Sequence, residues 1–135
     1  MKVFWEKTQD GSVTSPLGFV ANGLHAGIKR KKRAYDSALI YSKTPCIAAA
    51  TFTTNKVKAW PVYHSIKSIK HARHHAILAS SGNANCVNGA EGKQAVEESV
   101  AETAKLLEVL PEEILIAQTG IIGLPFPITR FKRSL

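Results

Sequence analysis

Four stretches of this 135-residue chain concentrate Gly, Asn and Thr where a packed core has no need of them: Val13–Phe19 (VTSPLGF), Phe52–Ala59 (FTTNKVKA), Ser80–Asn85 (SSGNAN) and Thr119–Gly123 (TGIIG). The last two each follow a short apolar run, AILAS from Ala76 and ILIA from Ile114, of the kind that forms a buried strand. Strand ends are where α/β folds commonly place ligand contacts. A strand followed by Thr-Gly presents backbone N–H groups, and Gly lets the chain approach a ligand closely and take a positive φ. Two such donors, one of which can be a hydroxyl, hold the oxygen of a tetrahedral acyl intermediate. A lone Thr-Gly is more often an ordinary turn. Asn83 and Asn85 are likewise more often turn-formers bonded to their own backbone than readers of a ligand.

Other chemistry finds less support. His71, His74 and His75 stand at i, i+3 and i+4, a spacing that binds metal on a helix. No Cys, Asp or Glu lies nearby to complete a ligand set, and Lys70 and Arg73 would repel a cation. These histidines read as an exposed loop before a strand, and no metal site is expected. The acids before residue 90 are Glu6, Asp10 and Asp36 alone, too few to argue a Ser-His-Asp arrangement. Cys46 and Cys86 have no base at a telling spacing and read as small buried thiols. No Gly-rich phosphate loop is present.

The elements that must carry these residues follow from periodicity. Gly18–Ile28 reads as a strand broken by a turn or bulge at Asn22-Gly23. Ser37–Ser42 and Ile47–Thr53 read as strands separated by a breaker at Thr44-Pro45. Ala59–Tyr63 reads as an extended edge piece because of Pro61, and Ser65–Lys70 as weakly helical. The clearest element is a helix over about Ala90–Leu110. There Val96, Val100, Thr103, Ala104 and Leu107 form one stripe, Asn88-Gly89 marks the start and Pro111 the stop. A further helical pattern begins after Pro127 with Ile128, Phe131 and Leu135, and the sequence ends within it.

The chain carries 18 Lys and Arg against 10 Asp and Glu, for a net charge of +8. The excess is uneven, with 13 basic and three acidic residues in the first 75 positions and a run from Lys29 to Arg33. Such a run could attract nucleic acid, a phosphate or a carboxylate. The preferred reading is a solvated loop between two strands, since Gly27 precedes the run and a strand-like segment follows it; the lack of interleaved aromatic residues also weakens a single-strand stacking platform. An apolar content of 44% argues against disorder, and no run approaches the length of a membrane span. The N-terminus lacks the apolar segment of a secretory signal, which points to a cytoplasmic protein with reduced thiols.

In order and spacing, the motifs from Val13 to about Pro127 resemble the N-terminal part of the ornithine acetyltransferase (glutamate N-acetyltransferase) family. They are VTSPLGF, Gly23-Leu24-His25-Ala26-Gly27-Ile28-Lys29, FTTNKVKA, SGNAN and TGIIG. Gln118 stands where the family usually has Ser, and Ser80 where it usually has Asn.

The resemblance implies an α/β fold, a layered α-β-β-α sandwich, of which residues 1–135 form a single partial domain. It implies acetyl transfer from N-acetylornithine to glutamate in arginine biosynthesis, with acetyl-CoA as a donor in some members and no bound cofactor. Thr119 and Gly120 map onto the oxyanion hole, with Asn83 and Asn85 as supporting residues. The nucleophile is a Thr at the N-terminus of a second chain released by self-cleavage. It lies outside this chain, which ends before the cleavage point and is expected to be inactive alone. The partner is that second (beta) chain, in an alpha2beta2 heterotetramer. Membrane and nucleic acid are not expected as partners. The rival readings are a basic nucleic-acid-binding module and a non-catalytic remnant that packs against another chain.

Overall fold

In the computed structural model, residues 9–30 and 34–135 are described. Four strands lie side by side in sequence order in one sheet: β1 (Phe19–Leu24), β2 (Ser37–Cys46), β3 (His74–Asn83) and β4 (Ile114–Ile121). The first three pair antiparallel, whereas β4 runs parallel to β3. A parallel neighbour needs a long crossover, and α2 (Gly89–Leu107) supplies it. A shorter helix, α1 (Trp60–Ser68), lies between β2 and β3, and α3 (Ile128–Ser134) follows β4.

Strand alternation decides what each face of the sheet meets. Ala76 and Leu78 of β3 and Ile114 and Ile116 of β4 point to one side. They pack there with Ala95, Val96, Val100 and Ala104 of α2 and Phe131 of α3. None of these nine is more than 4% exposed, and burying each large side chain contributes roughly 1.5–3 kcal/mol before entropy is counted. The opposite face carries Ile40, Ile77 and Leu115 in one cross-strand row and Ala38, Ala79 and Ala117 in the next. Ile77 there is 42% exposed. One helix layer on one sheet layer makes the described region α/β, as expected.

The helix stripe admits two polar residues because each bonds within the helix. Ser99 Oγ donates to Ala95 O at 2.7 Å and Thr103 Oγ1 to Ser99 O at 2.8 Å. The helix stops at Leu107, three residues short of the expected end, because Glu108 turns left-handed (φ 55°) and caps it. α3 is tied to α2 by Lys132, whose Nζ lies 3.1 Å from Glu98 Oε2 and 3.7 Å from Glu102 Oε1. The Lys132 hydrogen bond holds the Glu98 carboxyl below its ordinary range.

Several expected boundaries are corrected. β1 runs unbroken through Asn22-Gly23, each paired in register with β2. β2 continues past Thr44-Pro45 and absorbs them in an irregularity between Tyr41 and Cys46. Ile47–Thr53 is not a strand. Ala59–Tyr63 is not an extended edge piece: Ala59 precedes α1, and Pro61 sits in its first turn, where a missing N–H costs nothing. His74 and His75 open β3 rather than lying in an exposed loop. Successive strand residues point to opposite faces, so the histidines do not converge. His74 is buried, with Nε2 3.0 Å from Ser68 O, and His75 Nδ1 lies 2.9 Å from Ser42 O.

Candidate active site

Thr119 and Gly120 lie within the last turns of the β4 ladder, not beyond it, and SSGNAN likewise begins inside β3. Because β3 and β4 are parallel, both motifs arrive at the same end of the sheet. Ser81 pairs with Thr119, Gly82 with Gly120 and Asn83 with Ile121. The ladder is prolonged by Ala84 N–H to Ile121 O and Gly123 N–H to Cys86 O, both at 2.9 Å.

At this end the two glycines allow an unusually close approach. Gly82 has φ 116° and Gly120 φ 131°, a region side chains rarely adopt. A Cβ on Gly120 would overlap the carbonyl carbon of Gly82 and stand 2.6 Å from Asn83 N. A Cβ on Gly82 would stand 2.9 Å from Lys29 Cγ. The His25–Arg30 loop thus lies on Gly82, and Gly82 on Gly120.

An open cleft of about 890 Å³ lies over this junction. Ser81, Gly82, Asn83, Thr119 and Gly120 line it together with Lys29, Arg30 and Arg130, and Arg130 reaches the His25–Arg30 loop through Gly27 O at 3.3 Å. Thr119 and Gly120 are both exposed to it. Lys29, Arg30 and Arg130 are cationic and, among the described residues, no acid lines the cleft, so its field favours an anion. Lys31, Lys32 and Arg33, the rest of the basic run, lie outside the described residues.

The two asparagines play a different part from Thr119. Asn83 is buried; its Nδ2 donates to Leu124 O at 3.2 Å and Pro125 O at 3.0 Å, and its Oδ1 accepts Asn85 N–H at 2.7 Å. Asn85 is fully buried in a left-handed conformation (φ 48°). Its Nδ2 donates to Gly92 O and to Gln118 Oε1, both at 3.0 Å. Both amides are spent on fixing the loop behind the cleft. Gln118 and Ser80 are register partners on the helix-covered face.

VTSPLGF and FTTNKVKA do not line the cleft. In the second, Asn55 Oδ1 accepts Val57 N–H at 2.9 Å, an ordinary Asx turn. A separate hollow of about 490 Å³ lies on the outer helix layer between α1 and α2, lined in part by Trp60, Tyr63 and His64, and holds none of the expected site residues. Burial there pushes the His64 pKa below its ordinary value. Sequence reasoning missed the buried carboxylate of Asp36 under the His25–Arg30 loop and the arrival of Arg130 at the cleft.

Together, the mixed sheet, its helical crossover and a cleft at the parallel strand ends define an α/β protein with an open cleft at the carboxyl ends of two strands. The chain belongs to the ArgJ family, whose model matches residues 20–135. It is 46% identical over 127 residues to the arginine biosynthesis bifunctional protein ArgJ of Dehalococcoides mccartyi, covering 93% of this chain and 31% of that protein. The chain thus spans about a third of the length of such relatives. Two crystal structures share the fold. One is the arginine biosynthesis bifunctional protein of Bacillus halodurans, with TM-score 0.86 and 33% identity over 92% of this chain and 64% of that one. The other is the Mycobacterium tuberculosis ornithine acetyltransferase complexed with ornithine, with TM-score 0.78 and 35% identity over 90% and 65%.

Proposed function

We propose that this chain is the N-terminal portion of an acyltransferase of arginine biosynthesis, moving an acetyl group from N-acetylornithine to glutamate. The observation that carries this reading is the exposed Thr119 beside Gly120 at a cleft bordered by Lys29, Arg30 and Arg130. Both substrates carry carboxylates, which suit a cationic rim. The reacting carbonyl oxygen becomes anionic when a nucleophile adds, and Thr119 Oγ1–H with the Gly120 N–H is the donor pair for that charge. Donors fixed before the reaction need no reorganisation as charge develops.

The nucleophile is a Thr at the N-terminus of a second chain, its own α-amine serving as base. That Thr attacks the acetyl carbonyl, ornithine leaves, and the acetyl-enzyme passes its acetyl group to the glutamate amine, a ping-pong sequence. The second chain arises by self-cleavage, and two copies of each chain form the enzyme in the cytoplasm. Acetyl-CoA serves as donor if the enzyme is bifunctional, and no bound cofactor is required. Residues 1–135 form one partial domain of this assembly.

Thr119→Ala in the assembled enzyme tests the reading. It removes one donor and keeps the backbone N–H. Because the oxyanion exists only in the transition state and intermediate, kcat and kcat/KM fall together, by about 10²-fold. An unchanged kcat per titrated active site removes Thr119 from the machinery.

A further inference from the structure

We propose that Asp36 is the positioning residue of the Thr119–Gly120 cleft, acting through the His25–Arg30 loop that its carboxylate folds against Gly82. The inference rests on reading that cleft as an oxyanion site. Asp36 is 2% exposed, and its charge is met mainly by backbone. Oδ1 accepts Ala26 N–H at 2.5 Å and Oδ2 accepts Lys29 N–H at 2.8 Å. His25 Nδ1 stands 3.2 Å from Oδ2 and 2.8 Å from Ala34 O. With two acceptors facing it, that nitrogen carries the hydrogen. A carboxylate that accepts several N–H bonds is a strong clamp, and here it closes the loop around a left-handed Gly27 (φ 74°).

The clamp is coupled to the cleft on both sides. Through its main chain, Asp36 O accepts Ser81 N–H at 2.9 Å, holding β3 one residue before Gly82. Through its side chain, it sets Lys29, whose backbone N and Cγ would lie 3.3 and 2.9 Å from any Cβ on Gly82. Gly82 in turn backs Gly120. Asp36 is not itself a lining residue of the cleft, yet it holds Ser81 of β3 directly and, through Lys29 and Gly82, backs the end of β4 that carries the donor pair. Asn at this position offers one acceptor oxygen and turns an NH2 toward the other backbone N–H, so two donors face each other.

The test compares Asp36→Asn, Thr119→Ala and the native protein in the assembled enzyme, by steady-state kinetics per titrated active site and by amide hydrogen exchange. For Asp36→Asn, exchange in peptides spanning 78–84 and 116–123 accelerates about tenfold or more. Its kcat falls roughly 10- to 100-fold, since misplacement of catalytic groups by about 1 Å costs on that order, while KM changes less than about twofold. A merely structural role would lower the yield of active sites and leave kcat per site native. Native kcat in Asp36→Asn beside a damaged Thr119→Ala overturns the proposal and leaves the oxyanion reading standing. An inert Thr119→Ala overturns both. If Asp36→Asn does not fold, Asp36→Glu decides, because it keeps the charge and shifts the clamp by one methylene: native kcat and native exchange in that variant overturn the proposal.

Discussion

Gly120 lies across from Gly82 on the neighbouring parallel strand, and the volume a methyl group would need on Gly120 is already filled by the Gly82 carbonyl carbon. The contact runs backbone to backbone, so no side chain can swing aside to relieve it. The floor of the cleft is therefore set by main-chain atoms, the least adjustable part of the protein.

Gly120→Ala is expected to destabilise the assembled protein by upward of about 3 kcal/mol, combining left-handed strain with overpacking. Gly123→Ala separates the two causes. Gly123 has φ 80° with nothing within 4 Å of its missing Cβ, so strain alone acts and the cost is about 1–2 kcal/mol. Chemical denaturation of both variants measures the difference. Equal losses would show that space at Gly120 is not the constraint.

Residues 1–135 alone are expected to turn over no N-acetylornithine in the presence of glutamate, since the proposed nucleophile is on another chain. Product formed by repurified material at a rate proportional to its concentration would contradict this.

Asn85 and Gln118 are expected to behave as one unit. Their 3.0 Å bond is part of a partly buried amide network centred on the fully buried Asn85. Gln118→Ala leaves Asn85 Nδ2 with Gly92 O alone and costs about 1–3 kcal/mol. Asn85→Ala costs at least as much, because it also frees Gly92 O and Asn88. The double variant loses less than the sum, by about 0.5 kcal/mol or more, as directly bonded pairs do. Strict additivity in a denaturation cycle would place the two residues in separate networks.

Elements whose signal is long and local were the legible ones. The α2 stripe at Val96, Val100 and Ala104 and the apolar runs of β3 and β4 announce themselves, because each repeats its pattern several times within one element. The place of Thr119-Gly120 at the end of an apolar strand was legible for the same local reason. Pro61 was not: an extended edge strand and the first turn of a helix both accept proline, and only packing beside β4 chose the helix. Thr44-Pro45 and Asn22-Gly23 looked like breaks, but pairing with neighbouring strands overrode those local preferences. Asp36 was illegible for a deeper reason. Its partners are backbone N–H groups seven and ten residues upstream, and a backbone donor has no residue type to read.

His64 gives the stability a defined pH dependence. Burial lowers its pKa below the ordinary value of about 6.5, so the fold favours neutral imidazole. Between the folded and unfolded values the unfolded chain binds more protons, and stability therefore rises with pH. The contribution is fully present above about 6.5 and is lost as pH falls through the lower folded value. Melting temperatures of native and His64→Gln protein across pH 5 to 8 test this. The native curve should decline on the acid side more steeply than the variant's, and parallel curves would assign the acid loss to other groups.

The crossover between β3 and β4 also dictates an order of assembly. β1 and β2 are antiparallel neighbours joined by a twelve-residue connection, shorter than the β3–β4 crossover, whereas β4 can pair with β3 only after α2 has traversed the sheet and docked. Closing that longer loop costs entropy before any contact rewards it. The Thr119–Gly120 edge is thus among the last surfaces to form. A partly folded chain, whatever other structure it holds, lacks the cleft, so the oxyanion role proposed for Thr119 and Gly120 requires a finished sheet.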